Sequence, residues 1–196
     1  MSSRSSVARE AARLMYMGYA EEYMQAKQAA AASLGVRALP SNREVADQLD
    51  ELAEASEPGR APMLVEMRKA ALAVMVHIRE FEPRLIGSVW RGTSRRGSDI
   101  DIVLYHDSPT VVRERLSELF KVTGVENARF FSGGLPRRST HIKLELSGFG
   151  AEVVVRPPSE REPERCEVYG DMKTGLGVAG LRRVLEADPL RRFIPK

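Results

Sequence analysis

The sequence predicts an α+β fold: a small mixed β-sheet flanked by helices, with an N-terminal helical segment. Apolar residues recur at helical spacing through the first 80 residues. From residue 84 onward, short apolar runs alternate with polar residues at a period of two, which is typical of strands, and Gly, Ser and Pro separate these runs. A helical pattern between the second and third runs adds a helix to the sheet region.

Three helices are predicted before the sheet. The first is one long helix over residues 7–34, bent near Gly18 and ended by Gly35. A second helix of about three turns starts at Ser41-Asn42-Arg43-Glu44, because this S-x-x-E sequence is the capping-box pattern. After a turn rich in Pro and Gly, apolar residues over 64–78 predict a third, amphipathic helix.

Strands and helices alternate in the remaining sequence. Strands are predicted near residues 84–87, 99–105, 128–131, 139–146 and 151–156. Ser108-Pro109 begins the intervening helix, whose apolar face is Val112, Leu116, Leu119 and Phe120. A last helix around residues 178–185 ends near Asp188-Pro189. The linker Ser147-Gly148-Phe149-Gly150 predicts a hairpin between the last two strands. The predicted domains are a helical segment over 1–61, a catalytic core over 62–160 and a tail over 161–196 whose helix packs on the core.

Composition excludes several classes of protein. The longest apolar run, residues 70–76, is far shorter than the about 20 residues that cross a bilayer, so we expect no membrane association and a cytoplasmic protein. The single cysteine, Cys166, excludes a disulfide framework and a four-cysteine zinc site. Residues 81–196 carry 20 basic and 16 acidic side chains, an excess that favours anionic ligands.

The strongest chemical pattern is Asp99-Ile100-Asp101. Residues two apart in a strand point to the same face, so both carboxylates project together while Ile100 and Ile102 enter the core. Two adjacent carboxylates repel each other, and oxygen ligands without a His or Cys cluster favour Mg²⁺ or Mn²⁺. Solvated acids on a strand are the alternative interpretation.

A Gly-Ser pair strengthens this pattern. Gly87-Ser88 lies about ten residues before Asp99, at the end of a short strand, where glycine allows close backbone approach and serine adds a hydroxyl for a phosphate. Leu85-Ile86-Gly87-Ser88, followed by Arg91-Gly92-Thr93 and Ser98-Asp99-Ile100-Asp101, resembles the polymerase-beta-like nucleotidyltransferase superfamily. The resemblance covers residues 78–157.

The resemblance implies a third carboxylate on a neighbouring strand. Glu152 is the candidate, because its apolar strand ends at a proline as the third-acid strand of the family does. Two alternatives remain open: another register would place Val154 at that position, and Glu145 on the partner strand is a rival ligand.

The resemblance also implies a mechanism. Asp99, Asp101 and Glu152 would hold two Mg²⁺ (or Mn²⁺) ions with a bound NTP, taken as ATP, and NMP would pass to a hydroxyl with release of pyrophosphate. Ser88, next to Gly87, would bind the β- or γ-phosphate. Three arginines would neutralise more of the negative charge of the triphosphate or remain solvated: Arg91, Arg95 and Arg96.

The acceptor and partners stay open at this point. The superfamily modifies RNA or tRNA ends, proteins and small molecules, and so short a chain would form a homodimer or use a protein partner. A degenerate, non-catalytic nucleotide- or RNA-binding module and an antitoxin-like partner-binding protein are the alternative functions.

Other motifs are assigned structural roles. The Gly-x-Gly-x-x-Gly sequence over 175–180 follows no apolar strand, so it predicts a loop and a helix start rather than a dinucleotide site. His141 and Lys143 share a strand face, where packing or solvation is favoured over a supporting role at the site.

Overall fold

The computed structural model describes residues 3–132, 135–161 and 164–195. The chain divides into two compact units. One comprises Met1–Arg60, Arg165–Met172 and Pro195–Lys196, and the other comprises Ala61–Glu164 and Lys173–Ile194. In the described part of the chain, no helix has the length and apolar character needed to cross a membrane.

The first unit contains three helices, α1 (Ser3–Tyr16), α2 (Tyr23–Leu34) and α3 (Asn42–Ser56). The prediction of one long N-terminal helix was wrong, because α1 ends at a left-handed glycine, Gly18, with φ of +75°. The Gly18 and Tyr19 amides donate to the Met15 and Leu14 carbonyls, which closes α1 with a Schellman motif.

The capping box predicted for α3 is confirmed. The Glu44 amide donates to the Ser41 hydroxyl, and the Ser41 amide donates to the Glu44 carboxylate at 2.7 Å. Hydrogen bonds from Arg4 and Ser41 lower the pKa of Glu44 to about 2. At 15 residues α3 is longer than the three turns predicted.

The second unit holds the sheet and its helices. After α4 (Arg60–His77) and a 3₁₀ turn, the chain forms β1 (Arg84–Ile86), α5 (Gly87–Arg91), β2 (Ile100–Tyr105), α6 (Pro109–Ser117), β3 (Lys121–Ser132), β4 (Leu135–Leu146), β5 (Phe149–Arg156) and α7 (Val178–Ala187). The five strands are ordered β1-β2-β5-β4-β3. Strands β2 and β5 are parallel, and the other neighbours are antiparallel, so the predicted mixed sheet is confirmed.

Three strands, β3, β4 and β5, begin at least two residues earlier than predicted. Strand β3 begins at Lys121 rather than at residue 128, and β4 also starts earlier, at Leu135, because the two strands pair with each other along their length. The turn between β4 and β5 is only Ser147-Gly148, both with positive φ, so Phe149 and Gly150 belong to β5.

Alternation along the strands separates two faces of the sheet. One face contributes the buried residues Leu85, Ile100, Ile102, Leu104, Ile142, Leu144, Val153 and Val155 to a core that also contains α4, α6 and α7 side chains. Leu119, predicted on the apolar face of α6, lies beyond its last turn and is 65% exposed. The odd-numbered residues of β2 and the even-numbered residues of β5 lie on the opposite face.

Candidate active site

Three carboxylates meet where β2 and β5 begin. Asp101 on β2 is the register partner of Glu152 on β5. Asp99 directly precedes β2, and its carboxylate lies so close to Gly150 that a Cβ at Gly150 would overlap Asp99 Oδ1. The structure therefore brings together Asp99, Asp101 and Glu152.

The turn between β1 and α5 approaches the same carboxylates. Gly87 has φ of +69°, and a Cβ built on it would overlap Asp101 Oδ2. Only glycine combines this backbone conformation with so close an approach. Because Ser88 follows directly as the second residue of α5, the Gly-Ser pair lies beside Asp101.

Asp101 is in an unfavourable environment for a negative charge. Burial, followed by the charges of Glu152 and Asp99, raises the pKa of Asp101 from 3.8 to about 7. A divalent cation would relieve this repulsion, and three carboxylates offer only the hard oxygen donors that Mg²⁺ and Mn²⁺ prefer. The donor chemistry of the three side chains therefore fits a divalent cation.

The carboxylates as placed do not form a finished metal-binding group. Within residues 3–132, 135–161 and 164–195, no three His, Cys, Asp or Glu side chains are arranged to hold an ion. Glu152 Oε2 instead lies 2.9 Å from His141 Nδ1. A cation at this site would draw its ligands closer together than they stand here.

His141 supports Glu152 from the neighbouring strand, a contact that the sequence interpretation did not favour. Its Nε2 lies 2.7 Å from the Ser139 hydroxyl, and Ser139 is buried. An ionised carboxylate only accepts hydrogen bonds, so Nδ1 donates to Glu152 while Nε2 lies within hydrogen-bond distance of the Ser139 hydroxyl. The alternation of residues along the strands could have indicated this contact, because His141 lies on β4 on the same face as Glu152.

Glu145, the rival for the third carboxylate, lies elsewhere. It pairs with Gly150 in register, and its side chain is 57% exposed and forms an ion pair with Lys121 at 2.8 Å. The alternative register is also absent, because Val154 lies opposite Val103 rather than Asp101.

The three predicted phosphate-binding arginines have different environments. Arg91 is buried, donates to the Phe193 carbonyl at 2.7 Å and stacks 4.1 Å from the centre of the Trp90 ring. These contacts count against a triphosphate role for Arg91. Arg95 and Arg96 lie in the loop before β2, where Arg95 is half-buried and Arg96 exposed.

Arg68 is a structural residue that sequence reasoning missed. Its fully buried guanidinium donates to the Val89 and Trp90 carbonyls of α5 and to the Pro189 and Arg191 carbonyls after α7. Burial lowers its pKa to about 10. The available signal was an arginine inside the apolar stripe of α4. Arg68 thus fixes α5, the helix whose first two residues are Gly87 and Ser88.

Comparison with known proteins found one matching family and a similar solved structure. Residues 81–168 match the family described as "Nucleotidyltransferase domain", a segment that includes Gly87, Ser88, Asp99, Asp101 and Glu152. A solved structure of a mutant of the Cid1 poly(U) polymerase bound to MgATP is similar, with 19% identity and a TM-score of 0.34. That match covers 59% of this chain and 38% of the polymerase chain. No curated protein matches the chain.

The matched segment begins within the 3₁₀ turn before β1 and extends past β5, so it contains the whole sheet. Over residues 81–168, therefore, this chain is similar to nucleotidyltransferase domains.

Proposed function

We propose that this protein transfers NMP from an NTP, with ATP as the nucleotide, to a hydroxyl acceptor in a Mg²⁺-dependent reaction that releases pyrophosphate. The observation that carries the proposal is the pairing of Asp101 with Glu152 beside Gly87. A partly buried, repelling carboxylate pair destabilises a fold unless a ligand uses it, so such a pair indicates a functional site.

Asp99, Asp101 and Glu152 are the residues that would hold two divalent cations. When bound, such ions supply positive charge that stabilises the entering and leaving oxygens at the α-phosphorus. The acceptor hydroxyl releases its proton to solvent as its oxygen forms a bond to this phosphorus, the bond to the bridging oxygen breaks, and pyrophosphate leaves with that electron pair.

The other residues of the site bind and position. The absence of a side chain at Gly87 lets backbone and phosphate approach Asp101, and the Ser88 hydroxyl donates to a β- or γ-phosphate oxygen. His141 Nδ1 holds the Glu152 carboxylate, and Ser139 fixes the ring of His141. Arg95 and Arg96 add positive charge at the loop before β2.

Label transfer from each α-³²P NTP to RNA, protein and small-molecule acceptors tests the proposal. We expect Mg²⁺-dependent labelling by the wild type, and loss of at least a hundredfold in Glu152→Gln and in Asp99→Asn/Asp101→Asn. Glu145→Gln is the matched control, because it removes an acid from the adjacent strand that is paired with Lys121. This control is expected to retain activity.

Two results would contradict the proposal. Equal activity of Glu152→Gln and the wild type would remove Glu152 from the site. Mg²⁺-dependent NTP binding without pyrophosphate release, with every acceptor, would indicate a non-catalytic nucleotide-binding module instead.

A further inference from the structure

A cleft of about 790 Å³ opens on the sheet face that carries Asp101. Its floor includes Ile86, Val103 and Tyr105. Ile86 is the register partner of Asp101 across β1 and β2, and Val103 and Tyr105 follow Asp101 at the two-residue period of that face. The cleft therefore begins at the neighbours of Asp101 on β1 and β2, without including Asp101 itself, and runs along β2.

The Gly-x-Gly-x-x-Gly sequence forms one wall of this cleft. Leu176 pairs with Leu85 through two backbone hydrogen bonds of 2.8 and 2.9 Å, which adds this segment to the edge of β1. Gly175 has φ of +59°, and a Cβ there would lie 2.6 Å from the Leu85 carbonyl oxygen. The wall continues from Gly177 into the start of α7. The glycines thus allow close backbone packing.

Cations dominate the lining of the cleft. Five lining side chains are basic and one, Glu82, is acidic; the basic residues are Arg79, Arg84, Arg161, Lys173 and Arg182. Three of these basic side chains already have partners within the protein. Arg84 donates to the Thr174 and Gly175 carbonyls. Arg161 forms an ion pair with Glu82 at 3.0 Å, and Lys173 lies 3.6 Å from Glu164.

Two guanidinium groups remain available. Arg79 and Arg182 are exposed, and neither side chain has a hydrogen-bonding or ionic partner among the residues that the structure describes. Free arginines at the rim of a cleft with an apolar floor match a ligand that alternates phosphates with flat rings. Tyr105 also lines the cleft, with the Arg161 guanidinium 5.2 Å from the centre of its ring.

We propose that this cleft binds the 3′-terminal nucleotides of a single-stranded polynucleotide, the acceptor in the proposed transfer reaction, on which this inference rests. Arg79 and Arg182 contact backbone phosphates, and a base packs on Ile86 and Val103. Tyr105 lies four residues, about 13 Å, along β2 from Asp101, so the cleft between Tyr105 and the carboxylates accommodates one or two nucleotides. The basic lining repels a cationic small-molecule acceptor.

Fluorescence anisotropy with RNA and DNA oligonucleotides of about twelve nucleotides and identical sequence tests the cleft without NTP or metal. The Arg79→Ala/Arg182→Ala variant should bind at least tenfold more weakly than the wild type, with the salt dependence of binding reduced by about two phosphate contacts. The comparison of RNA with DNA identifies which polynucleotide is preferred. Arg37→Ala/Arg113→Ala removes two exposed arginines outside the cleft and should stay within twofold of the wild type.

The outcomes separate this inference from the proposed function. Binding that is absent in the wild type, or equally strong in both double variants, overturns the cleft assignment whatever the transfer activity. If the cleft variant alone loses binding but the wild type transfers no nucleotide to any acceptor, the polynucleotide site stands and the proposed function fails. If the cleft assignment and the proposed function are both correct, the cleft variant raises the KM for the acceptor at least tenfold and leaves kcat unchanged.

Discussion

Asp101 and Glu152 are register partners on the parallel strands β2 and β5, so two carboxylates from strands 51 positions apart in the chain lie side by side. Burial and this neighbour, together with Asp99, raise the pKa of Asp101 to about 7. The fold thus maintains a local repulsion at the point where β1 also turns into α5.

The first prediction concerns the pH dependence of stability. Between about pH 4 and 7, folded Asp101 holds a proton that the unfolded chain has released, so the free energy of unfolding falls as pH rises and levels off above about 7. The full effect is at most about 4 kcal/mol. Asp101→Asn should remove this slope and be more stable than the wild type at pH 8.

Urea unfolding without divalent metal at pH 5, 6, 7 and 8 measures this effect. This range lies above the titration of Glu44, whose pKa is lowered to about 2. Asp107→Asn, at an exposed position beyond β2, is the control and should keep the wild-type slope. If the free energy of unfolding changed with pH equally in Asp101→Asn and in the wild type, Asp101 would not be the group responsible.

The second prediction compares two glycines of similar conformation. Gly87 and Gly97 have φ of +69° and +80°, but only at Gly87 would a Cβ overlap Asp101, whereas nothing lies within 4 Å at Gly97. Gly97→Ala should cost about 1 kcal/mol of stability and retain activity. Gly87→Ala should cost more and abolish transfer, since the added methyl displaces Asp101. Similar effects in both variants would contradict the close approach.

A third prediction concerns Arg68. Arg68→Met leaves the carbonyls of α5 and of the segment after α7 without their donor, and we expect a loss of about 3 kcal/mol in urea unfolding. Lys69→Met, at the next position on α4 with a side chain that is 60% exposed, should change stability by less than about 0.5 kcal/mol. Equal losses in the two variants would show that the carbonyl contacts of Arg68 contribute little.

The fourth prediction assigns a positioning role to His141. His141→Phe removes the contact with Glu152 but keeps a ring of similar size, and should raise the Mg²⁺ concentration for half-maximal transfer by about 10- to 100-fold. His141→Asn restores an N–H donor on a shorter side chain and should recover part of the loss. An unchanged Mg²⁺ dependence in His141→Phe would leave the histidine a packing role only.

Local interactions made parts of this fold predictable. The capping box of α3 depends on residues three apart, and the Gly35 end of α2 depends on one left-handed glycine. The order of apolar and polar residues indicated all five strands. Gly18 carried the same end signal as Gly35, but the apolar spacing continues across it, and this continuity suggested a single helix.

Pairing between distant segments was not predictable in the same way. Alternation in β5 placed Glu152 on one face, but the choice between Glu152, Val154 and Glu145 depended on the register of β5 against β2. The contact of His141 with Glu152 follows from the β4 and β5 register, and the contacts of Arg68 join α4 to two remote segments. No local pattern encodes these pairings.

The parallel pairing of β2 with β5 also has a kinetic consequence. The hairpin of β4 and β5 closes through the two-residue turn Ser147-Gly148 and can form early, whereas β5 reaches β2 only after a loop of about fifty residues is closed. The carboxylates therefore come together late in folding, and chains that have not docked β5 against β2 expose an unpaired strand edge. Nascent or heat-stressed chains are most prone to aggregate through that edge.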